Sequence, residues 1–312
     1  MKDTLSQTRP LSVGLVGAGA VGLFYSSFLM RLGLSVTILT RSPNEYNQDI
    51  IINSHNISQH HDSYQVLGYD EPSQSFDVVI VATKVLSSID FTTLIRPYIS
   101  DHTVIFLIQN GVLIEDVYLT SFDQPILRGL AFLCAARRSY CVVDHLEFGT
   151  LNYGIIRGSK EHPIIQLLIR TIEKSDMDDN FVDDIQFAIW EKLLWNAPFN
   201  SLSVIKGGVT TDEMVNSPVV IDRIRKIMTE VCLAARTFGV HLPEDLIDKK
   251  IEVTRKMSAY KTSMCLDYER NLPLETEAIV GNYINFCAQK GIDLPFSKEL
   301  YQELKSFDIY HK

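Results

Sequence analysis

The stretch Leu11-Ser12-Val13-Gly14-Leu15-Val16-Gly17-Ala18-Gly19-Ala20-Val21-Gly22 decides the fold of this chain. Leu11 to Val16 is a short apolar run of strand character, and Val21 to Leu32 carries a helical pattern that ends at Gly33. Between them stand three glycines at the spacing G-x-G-x-x-G. Each glycine answers a different steric demand. Gly17 permits the tight turn out of the strand, Gly19 lets the backbone approach a pyrophosphate, and Gly22 allows close packing of helix on strand. The helix N-terminus then faces the anion. Such a turn also occurs without a ligand. The strand before it, the helix after it and its place near the N-terminus favour a dinucleotide, held along Gly17, Ala18, Gly19, Ala20, Val21 and Gly22.

Reading outward, Leu34 to Leu39 is a second β-rich run, followed by Thr40-Arg41-Ser42. Enzymes that take NAD usually place an acid at the end of this strand, about 20 residues past the glycines, to bind the ribose hydroxyls. Here the acid is missing and Arg41 is present, a residue able to pair with a 2′-phosphate. A solvated surface arginine is the plain alternative; the missing acid tips the reading to NADPH/NADP+. Val78 to Ala82 is a continuous apolar run typical of a buried parallel strand, Leu86 to Ile95 can form a helix, and Thr103 to Ile108 is another strand. Residues 126–157 read as further strands. Lys84 and Asn110 each follow a predicted strand at its C-terminal end, where ligands bind in open α/β sheets, so both are candidate cofactor contacts and Asn110 a substrate contact as well.

From about residue 160 helical periodicity takes over. The expected class is therefore α/β, with an N-terminal Rossmann-type dinucleotide-binding domain over 1–178 and an all-helical substrate and catalytic domain over 179–312. Within Ile185 to Ser201, Lys192, Asn196 and Asn200 recur at intervals of four and fall within roughly 80° on one helix face. Their neighbours on that face are Ala188, Ile189, Leu193 and Phe199. A lysine and two asparagines in an apolar sector suit a polar ligand, although one polar edge of an amphipathic helix would look the same. Pro198 predicts a kink around residues 194–198. Farther on, Lys261-Thr262-Ser263-Met264 is compatible with helix, and another helix begins after Asn271-Leu272-Pro273, with Glu275 near its first turn and held ionised by the helix dipole.

Composition bounds the rest. The chain has 312 residues, 46% of them apolar, and a net charge of −9. That balance argues against a protein that coats nucleic acid or an anionic membrane, and it leaves room for a local positive site. Cys134, Cys141, Cys232, Cys265 and Cys287 are odd in number and scattered, which fits free thiols in a cytoplasmic protein and offers no metal-binding pattern. No apolar run reaches the ~18 residues of a membrane span. The expected partners are a small molecule and at most a second copy of the chain, as a monomer or homodimer.

Taken together, the blocks VGLVGAGAVG, FDVVIVATKV, FLIQNGV, IWEKLLWNAPFN, KTSMCLDYERNLPLETEAIVGNYI and AQKGIDLP resemble the ketopantoate reductase (2-dehydropantoate 2-reductase) family, in order and spacing, over nearly the whole chain. The resemblance implies NADPH-dependent reduction of a branched 2-keto acid to the (R)-2-hydroxy acid, in pantothenate and coenzyme A biosynthesis. It implies Lys192 as the general acid, Glu275 as the holder of the substrate hydroxyl, and Asn196, Asn200 and Ser263 as substrate-binding residues. It places Lys84 and Asn110 along the cofactor–substrate cleft. Two departures bear on the substrate: Pro198 precedes Asn200 where the family often has Asn-Pro, and Asn271-Leu272-Pro273-Leu274 lacks the family's Gly-Arg. Reduction of another bulky 2-keto acid by the same mechanism, and a non-catalytic NADP(H)-binding redox sensor, remain the alternatives.

Overall fold

The computed structural model describes residues 10–71 and 74–308. The described residues divide into two compact units: those up to 83, with 90–109 and 119–183, form the first, and 84–89, 110–118 and those from 184 on form the second. The division after the sheet thus falls between Asp183 and Asp184 rather than at residue 178. Two short segments that follow strands of the first unit, one holding Lys84 and one holding Asn110, cluster with the second.

The first unit is built on a sheet of ten strands among the described residues. These are β1 (Ser12–Val16), β2 (Ser35–Thr40), β3 (Ile50–Ser54), β4 (Ile57–His61), β5 (Tyr64–Gly68), β6 (Val78–Val81), β7 (Val104–Leu107), β8 (Ile126–Arg137), β9 (Val142–Arg157) and β10 (Asp179–Phe181). The order is β4-β3-β9-β8-β7-β6-β1-β2-β5, with β10 paired to β9. From β5 through β8 every pairing is parallel, whereas β8–β9 and β3–β4 are antiparallel. Val78–Val81 and Val104–Leu107 are buried along their whole length, as strands covered on both faces must be. Helices α1 (Ala20–Arg31) and α4 (Pro163–Glu173) bury Leu23, Phe24, Leu29, Ile165, Leu168 and Ile172 in the same core as Val13, Leu15, Val36, Ile38, Ile80 and Phe106. Each such apolar side chain contributes about 1.5–3 kcal/mol when fully buried.

The helix expected over 86–95 is shorter. Helix α2 (Phe91–Ile95) starts at Asp90, whose carboxylate accepts from the Thr92 and Thr93 amides and so satisfies two N–H groups that no turn upstream can reach. Residues 84–89 are turn and irregular backbone, left to other duties. Helix α3 (Asp116–Ser121) follows β7.

The second unit is helical: α5 (Ile185–Ile205), α6 (Thr211–Val215), α7 (Pro218–Phe238), α8 (Leu246–Lys256), α9 (Ser263–Glu269), α10 (Asn282–Gln289) and α11 (Pro295–Asp308), with a π turn over Glu277–Gly281 ahead of α10. Helix α5 is its axis. Asp184 caps it by accepting from the Phe187 amide at 2.9 Å, worth about 1 kcal/mol. The helix runs through Pro198 without interruption. A proline inside a helix costs roughly 3 kcal/mol, and burial of Leu193, Leu194, Ala197, Phe199, Leu202 and Val204 on either side of it offsets that cost. Helix α7 lies against α5, begins with Pro218 at its first turn and ends at Gly239, whose φ of 106° supplies the left-handed cap. Among the described residues no helix is long and apolar enough to cross a membrane.

Candidate active site

In the first unit β1 and β2 are neighbours, so the glycine turn after Val16 and Arg41 after Thr40 leave the sheet at the same edge. Gly17 has φ 97°, and a Cβ there would meet the Thr83 amide nitrogen at 2.5 Å. A Cβ on Gly22 would stand 2.2 Å from the Gly17 carbonyl oxygen. Gly19 differs: a Cβ on it meets nothing within 4 Å. Gly17 and Gly22 are therefore demanded by the fold, and Gly19 by nothing the chain itself places there. Gly19 is also the N-cap of α1 and offers no side-chain cap to the helix's first N–H groups. Open space before a helix N-terminus that has no side-chain cap fits the phosphates of a dinucleotide. Arg41 is exposed, and the Thr40 hydroxyl beside it accepts from the Ser42 amide.

In the second unit the polar candidates form a connected chain. Lys192 Nζ donates to Asn110 Oδ1 at 3.4 Å, and Asn110 Nδ2 donates to Glu275 Oε2 at 3.3 Å. The other carboxylate oxygen, Oε1, accepts from the Val85 amide at 2.9 Å. Lysine only donates and carboxylate only accepts, so the Asn110 amide has one satisfactory orientation. Lys84 Nζ pairs with Asp267 at 2.7 Å and donates to the Pro273 carbonyl at 3.1 Å. The 84–89 segment has no regular structure because its groups are used here: an amide for Glu275 and an ammonium for Asp267.

Glu275 is only 8% exposed. Burial pushes its carboxyl above the ordinary carboxylate value, and the Val85 amide, the Asn110 side chain and the Lys84 charge oppose the rise. The expectation of a carboxylate held ionised by a helix dipole meets this burial, which acts in the opposite direction. Glu275 precedes the helical run, and its own carbonyl accepts from the Ile279 amide. Asp267 is also raised by burial, against the pull of Lys84.

Lys192, Asn196 and Asn200 lie one turn apart along α5, with Lys192 and Asn196 half-buried and Asn200 buried. Ser263 is the exposed first residue of α9; the helix begins there rather than at Lys261. Thr262 caps that helix by accepting from the Cys265 amide, and its hydroxyl bonds Ser203 on α5 at 2.8 Å. This bond ties the start of α9 to α5. The structure thus connects Lys192, Asn110 and Glu275 directly, while Asn196, Asn200 and Ser263 make no side-chain hydrogen bond to that chain among the described residues. Asp267 and the Val85 amide were not singled out from sequence. Asp267 stands four residues after Ser263, one turn along the same helix, which is the available signal.

The family model described as "Ketopantoate reductase PanE/ApbA" matches residues 13–158, and that described as "Ketopantoate reductase PanE/ApbA C terminal" matches residues 184–308. A 2-dehydropantoate 2-reductase of Nostoc sp. is 30% identical over 305 residues, which cover 94% of each chain. Among solved structures, 2-dehydropantoate 2-reductase from Methylococcus capsulatus superposes with a TM-score of 0.87 at 30% identity, covering 97% of this chain and 98% of that one. A D-mandelate dehydrogenase solved with NADH and anilino(oxo)acetate shares the fold, with a TM-score of 0.86 at 18% identity over 96% of this chain and 99% of its own.

Proposed function

The chain belongs to the ketopantoate reductase family, and from that membership we propose that it reduces 2-dehydropantoate to (R)-pantoate with NADPH, in pantothenate and coenzyme A biosynthesis. The observation that carries the reading is the hydrogen-bonded chain Lys192–Asn110–Glu275, braced by the Lys84–Asp267 ion pair. NADPH, when bound, supplies the hydride. The first unit serves as the cofactor domain: the Gly17–Gly22 turn receives the pyrophosphate and Arg41 the 2′-phosphate. The second unit serves the substrate.

Negative charge grows on the keto oxygen as the carbonyl carbon is reduced. The Lys192 ammonium stabilises that charge and delivers the proton that completes the hydroxyl. Asn110 holds the ammonium in place by accepting from it, and fixes Glu275 by donating to it. Glu275 orients the hydroxyl of the substrate. Its elevated carboxyl can take a proton in a range where a solvated glutamate cannot. Asn196, Asn200 and Ser263 offer neutral donors to the substrate carboxylate, which suits a 2-keto acid. Lys84, neutralised by Asp267, supports the strand-end segment that carries the Val85 amide rather than standing as a bare cation.

A second reading keeps the chemistry and changes the acid. The Asn271–Leu274 segment, whose Pro273 carbonyl accepts from Lys84, lacks the family's Gly-Arg, and that departure leaves another bulky 2-keto acid as the alternative. The protein acts on a small molecule, in the cytoplasm, as a monomer or homodimer and without nucleic acid. Lys192→Ala tests the assignment: ketopantoate turnover is expected to fall by at least a thousandfold while NADPH affinity, read by its fluorescence, stays within about threefold. Turnover that survives the substitution would remove Lys192 from the mechanism.

A further inference from the structure

We propose that Arg137 binds the pyrophosphate of the dinucleotide and, from the same position, clamps the glycine-rich turn. The inference rests on the reading of that turn as an NADPH site. Arg137 closes β8, and its Nη1 donates to the Ala18 carbonyl at 3.0 Å. Ala18 stands between Gly17 and Gly19, so this bond ties the far end of a long strand to the middle of the turn. The guanidinium is planar and carries five N–H donors, of which the Ala18 carbonyl takes one. Its Cζ lies 4.9 Å from the centroid of the Tyr140 ring, which in turn packs edge-on to Tyr46 at 5.6 Å. The aromatic pair sets the plane of the fork.

The adjacent arginine sharpens the point. Arg138 spends its charge on Asp144, with Nε at 2.9 Å and Nη2 at 2.8 Å from one carboxylate oxygen. Arg137 is exposed, and its partners are a carbonyl and a ring; no carboxylate pairs with it among the described residues. An uncompensated cation is thus fastened to a loop whose central glycine faces open space and whose helix has no side-chain cap. A pyrophosphate carries the charge and acceptor oxygens that the remaining donors and the helix N-terminus both suit.

NADH and NADPH share the pyrophosphate and differ in the 2′-phosphate, so the contribution of Arg137 is separable from that of Arg41. The test titrates both nucleotides by fluorescence across a range of potassium chloride concentrations, with wild type, Arg137→Gln and Arg137→Lys. Glutamine can still donate to the Ala18 carbonyl but carries no charge. Arg137→Gln is expected to raise the Kd of NADH and NADPH by a similar factor, about tenfold, and to flatten the salt dependence of both. Arg137→Lys is expected to recover most of the salt dependence. Unchanged affinities overturn the proposal. So does a loss confined to NADPH, which would place the arginine at the 2′-phosphate, and so does an Arg137→Lys that matches Arg137→Gln in affinity and slope. Wild-type protein that binds neither nucleotide overturns the NADPH reading itself and the inference with it.

Discussion

Glu275→Gln is an isosteric change that the hydrogen-bonded chain cannot absorb. Glutamate presents two acceptor oxygens, one to the Val85 amide at 2.9 Å and one to Asn110 Nδ2 at 3.3 Å. Glutamine presents one oxygen and one NH₂ group. If its NH₂ faces Val85 or Asn110, donor meets donor. If Asn110 turns over to accept from it, the Asn110 NH₂ faces the Lys192 ammonium instead, and the bond from Lys192 is lost. Every arrangement surrenders one bond in a chain with a charged group at each end, worth about 1.5–3 kcal/mol, so kcat/KM for the keto acid is expected to fall roughly 10–100-fold. Stability moves the other way. Burial raises the Glu275 carboxyl in the folded chain above its unfolded value of 4.5. The folded state then binds this proton more tightly than the unfolded state. The stabilisation is fully present below the unfolded value and is lost as pH rises through the folded one. Glutamine does not titrate, so the Tm of Glu275→Gln minus that of wild type should increase from pH 4.5 upward. The assay pairs thermal melts at a series of pH values with steady-state rates. A Tm difference that stays flat across the series, or an unchanged kcat/KM, would refute the reasoning.

The glycine turn separates folding from binding. Gly22→Ala puts a Cβ 2.2 Å from the Gly17 carbonyl oxygen and should cost about 1–3 kcal/mol, lowering Tm by roughly 2–10 °C. Gly19→Ala meets nothing in the chain, so its melting temperature should match wild type while NADPH affinity falls about tenfold; equal melting losses for the two variants would contradict the assignment. Arg41→Ala should weaken NADPH by about 10–100-fold and NADH far less, and equal losses in a fluorescence titration would remove Arg41 from the 2′-phosphate.

The residues that could be read from sequence are those whose local demands are strong. The Leu11–Gly22 stretch announces itself because a positive φ at Gly17 and a close approach at Gly22 exclude side chains. Val78–Val81 and Val104–Leu107 are legible as buried strands because they are apolar throughout. Strand β4 is not legible locally: Ser58-Gln59-His60-His61 is polar, and at the edge of the sheet the strand carries no apolar pattern to betray it. The spacing of Lys192, Asn196 and Asn200 is local to one helix and was readable. The partners of Lys192 are not, because Asn110 and Glu275 are far away in sequence and only the fold brings them to it. The place of Lys84 after a strand is local and readable, whereas its ion pair with Asp267 is encoded by no local pattern. Burial of Glu275 was equally hidden, since a glutamate near a helix start looks solvated until the rest of the chain covers it.

The most direct test of the central claim is kcat/KM for ketopantoate against a panel of branched, linear and aromatic 2-keto acids, with NADPH and NADH side by side. Ketopantoate with NADPH should rank first. A higher value for another acid, or for NADH with ketopantoate, would contradict the account.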